Sequence, residues 1–410
     1  MKPILFIKYF LFLYLLAISA FEFFYRVFQP ATYLLFPVVL LVFISYNKKF
    51  NFSVFKIIIP FFCVFVLQNY LNGIPFYYAL TLVVRLLVFY MTMEIIGNDF
   101  INIFINTIKV IAVISIFFYM IQYNTLAYNF LIDLCKIFTN LGSDPQISPD
   151  KPNFIIYTIE TKSFYDFQFF RNTGPFWEPG LYVAFLNIAL FFNMLIQKKL
   201  LNRLNLLFII SIITAFSTTG TIVLFINIII YLFISKSLKL QYRFFLIVIV
   251  LTAIPFISSL SFMKDKIDSQ LNQSNISYSR FGAIVVHWNI IQAYPYAGLP
   301  YDDNKTYDKF ADNISPNGIT EIFIRYGVFV GLFYYILMFR SNNILMKYLG
   351  YPNKGFALFL ILTVSIFSEN IGNRPIYLML LFIPMLNDFK PYVDSKVLYF
   401  NKKYSSLSST

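Results

Sequence analysis

Apolar stretches of membrane-spanning length recur along almost the whole chain, and this recurrence constrains the fold more than any motif does. A helix that crosses a bilayer needs roughly 17–25 mostly apolar residues. Stretches that reach or approach this length lie at 4–22, 28–46, 54–71, 76–95, 104–123, 180–197, 204–218, 220–235, 243–260, 320–340, 355–369 and 375–389. They predict an all-α polytopic membrane protein of about 12 transmembrane helices, built as a single integral membrane domain over residues 1–410. Composition agrees: 59% of residues are hydrophobic and 12% charged, against roughly 45–50% and about 25% in a soluble domain. A disordered chain, a disulfide scaffold and a cytosolic nucleotide enzyme are poor fits. Two distant cysteines, Cys63 and Cys135, make no disulfide framework, and a single histidine excludes a zinc site of several imidazoles. No metal and no cofactor is expected. The first apolar stretch lacks a small-residue cleavage pattern and leads into further spans, so it reads as a retained anchor.

Charge chooses the topology. The run from Leu206 to Ile234 is either one long helix or two short ones joined at Ser217-Thr218-Thr219-Gly220-Thr221. One helix of about thirty residues, at roughly 1.5 Å each, would cover about 45 Å, more than the roughly 30 Å hydrocarbon core. Two spans put Lys198, Lys199 and Arg203 on the same side as Lys236, Lys239 and Arg243, as the cytoplasmic bias of Lys and Arg favours. Both termini are then cytoplasmic. Inner segments hold 17 cations against four acids, whereas two long outer loops, 124–179 and 261–319, hold nine cations and twelve acids. The net charge of +13 is therefore mostly a topology signal. Basic residues are scattered over short inner loops, a pattern that does not suit nucleic acid.

Polar chemistry gathers in and beside the outer loops. Arg171-Asn172-Thr173-Gly174-Pro175-Phe176-Trp177-Glu178-Pro179-Gly180 precedes the sixth span. Pro179 suits the first turn of a helix, which places the Glu178 carboxylate at that helix's positive end. Arg171 offers a fork of donors for phosphate or carboxylate, or closes a turn by pairing with Glu178. Residues 280–293 predict a helix on the outer surface, with Arg280 and His287 seven apart on one face. His287 suits a general base or a phosphate donor, or sits at the interface beside Trp288. Asn317 and Glu321 open the tenth span; Glu321 faces a wet cavity or pairs with Arg325 at i+4. Arg85 lies near the middle of the fourth span, where a cation marks a functional site or a structural pair with Glu321 or Glu369.

The chain resembles the bacterial O-antigen and capsule repeat-unit polymerases, within the O-antigen polymerase and ligase superfamily. The resemblance rests on Arg171…Gly174…Phe176…Glu178-Pro179-Gly180, on Phe216-Ser217-Thr218-Thr219-Gly220-Thr221, on Arg280 with Tyr294-Pro295…Gly298, and on Asn317-Gly318…Glu321…Gly327…Gly331, in that order. It implies a glycosyltransferase C-like membrane fold in the bacterial cell inner membrane, with a periplasmic active face. It implies transfer of a growing glycan from its lipid to the next repeat unit on a polyprenyl diphosphate, with no metal. The implied substrate is an undecaprenyl-diphosphate-linked oligosaccharide, and the implied partners are membrane lipids, a chain-length regulator and a flippase. The product would be lipopolysaccharide O-antigen, capsule or exopolysaccharide. On this reading Arg171 and Arg280 bind diphosphate, Arg85 assists from deeper, and Trp177 and Asn317 contact glycan. Glu178, His287 or Glu321 orients or deprotonates the acceptor. Ligases of the superfamily usually carry a histidine just before the span that starts near Thr320. This chain has Ser315-Pro316-Asn317 there, which favours polymerase over ligase. A lipid-linked oligosaccharide flippase is the alternative from another class.

Overall fold

The computed structural model describes residues 3–24, 35–73, 75–139, 152–164, 167–235, 280–299 and 317–387, with isolated positions 33, 241, 244, 248 and 252. The ninth predicted span (243–260, apart from three of those positions), loop segments 140–151, 261–279 and 300–316, and the chain beyond 387 lie outside the described residues.

The described chain is mostly helical. Its helices are α1 (Pro3–Ala20), α2 (Leu35–Ser45), α3 (Phe55–Asn72), α4 (Tyr77–Ile96), α5 (Phe100–Ile121), α6 (Thr125–Thr139), α7 (Pro179–Gln197), α8 (Arg203–Thr214), α9 (Thr218–Ile234), α10 (Arg280–Ala293), α11 (Gly318–Tyr348), α12 (Gly355–Ser368) and α13 (Pro375–Leu380). Four helical stretches are long and apolar enough to cross a membrane: Phe52–Leu71, Tyr77–Ile121, Pro179–Gln197 and Gly318–Tyr348. The second of these is α4 and α5 joined by one tight turn at Gly97–Asp99, where Gly97 takes a φ of 53°. The last predicted span, 375–389, is much shorter than its hydropathy suggests. Its regular helix stops at Leu380, and Pro384 starts a separate 3-10 turn at Ile383–Met385, because proline cannot continue an α-helix through its own amide.

Helix α7 forms the centre of the bundle. Every residue from Leu181 to Leu195 is buried, as expected for a helix apolar on all sides. Its asparagines link it to its neighbours. Asn187 Nδ2 donates to the Gly220 carbonyl (3.1 Å), and Asn227 Nδ2 donates to Asn187 Oδ1 (3.0 Å). Such interhelical amide bonds are favoured where lipid offers no alternative partner. The break between α8 and α9 is real: Ser217 caps α9 through a bond from the Gly220 amide (3.3 Å).

Part of the stretch expected to be loop, 124–179, is ordered. Strands β1 (Asn153–Phe154), β2 (Tyr157–Phe164) and β3 (Phe167–Asn172) form an antiparallel sheet in which Glu160 faces Arg171. Helix α6 packs Leu131 and Cys135 against Phe154, Tyr157 and Ile159 of that sheet.

Contacts between helix ends sort the bundle into two poles. The end of α1 meets the turn before α7, where the Glu22 amide bonds to the Pro175 carbonyl (3.0 Å). The start of α11 meets the end of α12 there, and the end of α8 meets Arg171. At the other pole Lys8 pairs with Asp99 (2.6 Å), Tyr348 donates to the Asn98 carbonyl (2.8 Å) and Asn387 donates to the Lys49 carbonyl (2.8 Å). Lys198, Lys199, Arg203 and Lys354 sit at helix ends of that second pole.

Candidate functional site

The site is built around a break in α11. Gly327 adopts φ 70° and ψ 174°, splitting the helix into Gly318–Tyr326 and a longer second half. Backbone groups released by such a break need partners when buried. The turn after α10 supplies most of them. The Leu299 amide donates to the Ile324 carbonyl (2.6 Å), and the Val328 amide donates to the Pro295 carbonyl (2.8 Å). Gln68 of α3 donates through Nε2 to the carbonyls of Arg325 (2.8 Å) and Ala297 (2.6 Å). The two backbones approach this closely because both contact points are glycine. A Cβ at Gly298 would fall 2.2 Å from the Ile324 carbonyl oxygen, and one at Gly327 would fall 2.3 Å from that of Tyr296.

Around the break, several residues singled out in the sequence come together. Asn317 caps α11, its Oδ1 accepting from the amides of Ile319 (3.1 Å) and Thr320 (3.4 Å). Glu321 pairs with Arg325 through Nη2 (2.9 Å) and Nε (3.2 Å), the i,i+4 pair allowed for above. His287 is 1% exposed and its Nδ1 lies 2.6 Å from Thr320 Oγ1. Burial holds the imidazole below its ordinary pKa, and the nearby Glu321 charge pulls the other way. Tyr326 contacts the Asn373 amide. With that amide nitrogen turned toward Tyr326, the Asn373 oxygen accepts from Arg325 Nη1 (3.0 Å) and Nε (3.3 Å). The charges of Arg325, Arg85 and Glu321 all act on the Tyr326 hydroxyl, so Arg85 lies within electrostatic range of this cluster. Arg85 Nε is buried with no hydrogen bond, and among the described residues Arg85 has no carboxylate partner. Neither Glu321 nor Glu369 plays the structural role considered for it as a partner of Arg85.

A second polar layer adjoins this cluster through the turn between α12 and α13. One residue beyond Asn373, the Arg374 guanidinium lies over the Trp177 ring, 5.1 Å from its centre. The same turn presents Glu369 to α7: a Cβ at Gly180 would fall 1.9 Å from Glu369 Oε1. Glu178 stands at the N-cap of α7 with extended backbone, and Pro179 occupies the first turn. The Glu178 side chain makes no cap bond.

Arg171 has a different partner from the one considered in the sequence. Its Nη1 donates to Glu160 Oε1 (2.9 Å), not to Glu178. Its Nε and Nη2 donate to the carbonyls of Ala215 (3.2 Å) and Phe216 (3.3 Å) at the end of α8. Three of its donors thus staple the sheet to a helix C-terminus, where a cation is favoured. The side chain of Arg280 lies outside the described residues, although its backbone opens α10. Removing one partner of a buried pair costs about 3–5 kcal/mol, because it strands the other charge. Arg171→Ala and Glu160→Ala are therefore each expected to lower the midpoint of thermal unfolding in detergent. An Arg171→Ala protein with an unchanged midpoint would free Arg171 for ligand binding.

Sequence reasoning did not single out Glu160, Asn373, Tyr326 or Gln68. Only the pairing of Glu160 with Arg171 across a short hairpin had a local signal, alternating residues on either side of Tyr165-Asp166. No family model, curated protein or solved structure matches the chain.

Proposed function

We propose that the protein polymerises polyprenyl-diphosphate-linked oligosaccharide repeat units at the periplasmic face of the bacterial inner membrane. The observation that carries this reading is the meeting of His287, through Thr320, with the Glu321–Arg325 pair on the broken segment of α11, within electrostatic range of Arg85 and at the pole away from the lysine-rich helix ends. The cation bias of the second pole supports placing it in the cytoplasm, and both chain termini with it. On this reading the chain is a glycosyltransferase C-like membrane protein of about 12 spans.

The chemistry asks little covalent work of the protein. An acceptor hydroxyl of one lipid-linked repeat attacks the anomeric carbon of the growing glycan. The bond from that carbon to the lipid diphosphate breaks, and the diphosphate leaves with the bonding electrons. The hydroxyl proton passes to a protein base. Arg85 and Arg280 screen the departing diphosphate, and charge placed in advance stabilises such a transition state. Trp177, with Arg374 over one face of its ring, would contact the glycan. His287 is the preferred base, since burial keeps it neutral; Glu178 is the other carboxylate at hand, and Glu321 is occupied by Arg325. Positioning two large substrates supplies much of the remaining acceleration.

A broken helix is also a feature of transporters, so a flippase is kept as the second reading. Deleting the gene separates the possibilities. Loss of long chains, with single repeats still attached to their final acceptor, is the expected result. Loss of every attached repeat would point to a ligase that transfers glycan to lipid A core. Lipid-linked repeats trapped on the inner leaflet would point to the flippase.

A further inference from the structure

His287 stands out because its two ring nitrogens are treated differently. Nδ1 faces Thr320 Oγ1 at 2.6 Å, while Nε2 has no hydrogen bond among the described residues. Thr320 is held firmly. Its amide is capped by Asn317 (3.4 Å), the Ile319 carbonyl accepts from the Tyr335 hydroxyl (3.0 Å), and Gly318 packs where a Cβ would fall 2.4 Å from the Ile366 carbonyl oxygen. The hydroxyl also reaches back 3.4 Å to the Asn317 carbonyl, as a donor.

A hydroxyl has one proton to give and two lone pairs to receive with. If Thr320 gave its proton to Nδ1, the contact with the Asn317 carbonyl would lose its hydrogen. Both contacts are satisfied together in only one direction: Nδ1–H donates to Thr320 Oγ1, and the Thr320 hydroxyl donates to the Asn317 carbonyl. The bond made by one ring nitrogen decides the state of the other. We infer that Thr320 is a positioning residue, which fixes His287 with its proton on Nδ1 and leaves Nε2 as the basic nitrogen.

The surroundings fit this role. Of the charged groups on α11, Glu321 acts on the ring, and its carboxylate is itself held by Arg325. One turn further along the same face of α10 come Ile290 and Ile291, packed with Leu299 and Ile324. That apolar layer supplies no second polar group to the imidazole. A base in this setting takes the acceptor proton at Nε2, and the protonated ring is then stabilised by Glu321. The inference rests on the reading of His287 as the base of glycan transfer.

The test uses the fact that the chain has one histidine. Full-length protein labelled with nitrogen-15 histidine, purified through a histidine-free tag and placed in nanodiscs, gives the signals of one imidazole. The expected spectrum near neutral pH shows a protonated Nδ1 and an unprotonated Nε2. Thr320→Val should abolish that preference and Thr320→Ser should retain it. A wild-type ring protonated at Nε2, or a Val variant with an unchanged tautomer, overturns the inference. In a reconstituted chain-extension assay Thr320→Val should lower kcat roughly tenfold to a hundredfold at unchanged KM, within the reach of about 10²–10⁴ for proton transfer. Thr320→Ser should restore most of the rate, and a Val variant with wild-type kcat would also overturn the role. The tautomer measurement needs no substrate. A wild-type protein that extends no glycan would therefore overturn the polymerase reading while the spectrum still decides the tautomer.

Discussion

Arg85→Ala is expected to stop glycan extension, with a loss of about 10²–10³ in kcat, the usual cost of removing one donor that stabilises developing charge in a site shielded from water. Arg85 is the ninth of the 20 residues of α4, at a depth where an unpaired cation is costly. Its Nε is buried without a hydrogen bond, and no carboxylate neutralises it among the described residues. A folded chain has little structural reason to keep such a group. Removing it strands no partner, in contrast to Arg171. The thermal midpoint of Arg85→Ala should accordingly be unchanged or higher, because sites shaped for ligands are often relieved of strain when their charge is removed. Arg85→Lys should recover only part of the rate, since an ammonium lacks the guanidinium's paired donors. A variant that unfolds more easily yet extends glycan at the normal rate would assign Arg85 to structure.

The second large effect falls on stability. Gly298→Ala and Gly327→Ala should each destabilise the protein by about 2–5 kcal/mol, the sum of left-handed backbone strain and overpacking. Their φ angles are 67° and 70°, and in each case the atom that a Cβ would strike is a backbone carbonyl oxygen: that of Ile324, which accepts from the Leu299 amide, and that of Tyr296, next to the Pro295 carbonyl that accepts from the Val328 amide. Neither neighbour can step aside as a flexible side chain could. The two losses should be less than additive in the double variant, because both glycines seat the same contact between the turn and the helix break. Gly73→Ala is the control. It has the same sign of φ, at 70°, but nothing lies within 4 Å of the added Cβ, so only the strain of about 1–2 kcal/mol remains. Thermal unfolding of the four proteins in one detergent checks the order. Equal midpoints for Gly73→Ala and Gly298→Ala would contradict the close packing at the break.

Much of the helical frame was legible because its signal is local. Boundaries of α3, α4, α7, α9 and α10 follow from apolar length, from Pro179, and from the polar break at Ser217 to Thr221. The pairing of Glu321 with Arg325 was legible for the same reason, since four residues is one turn. What escaped the sequence depends on distant segments. Gly327 sits inside a predicted span, two residues after Arg325, and nothing local distinguishes it from a tolerated helical glycine. Its break is stabilised by Leu299, Pro295 and Gln68, which arrive from two other parts of the chain. The ion pair considered for Arg171 was with Glu178, inside its own ten-residue neighbourhood, but the partner is Glu160, across a hairpin of which each strand is short. The truncation of α13 was carried by Pro384 alone, which average hydropathy over the run conceals.

The decisive measurement is extension of a defined substrate by the purified protein. Wild-type protein in liposomes, given a polyprenyl-diphosphate-linked repeat unit and no nucleotide sugar, should convert single repeats into a ladder of longer lipid-linked chains, and Arg85→Ala should leave them single. Repeats that remain single with the wild-type protein, whether or not they cross the bilayer, would contradict the account.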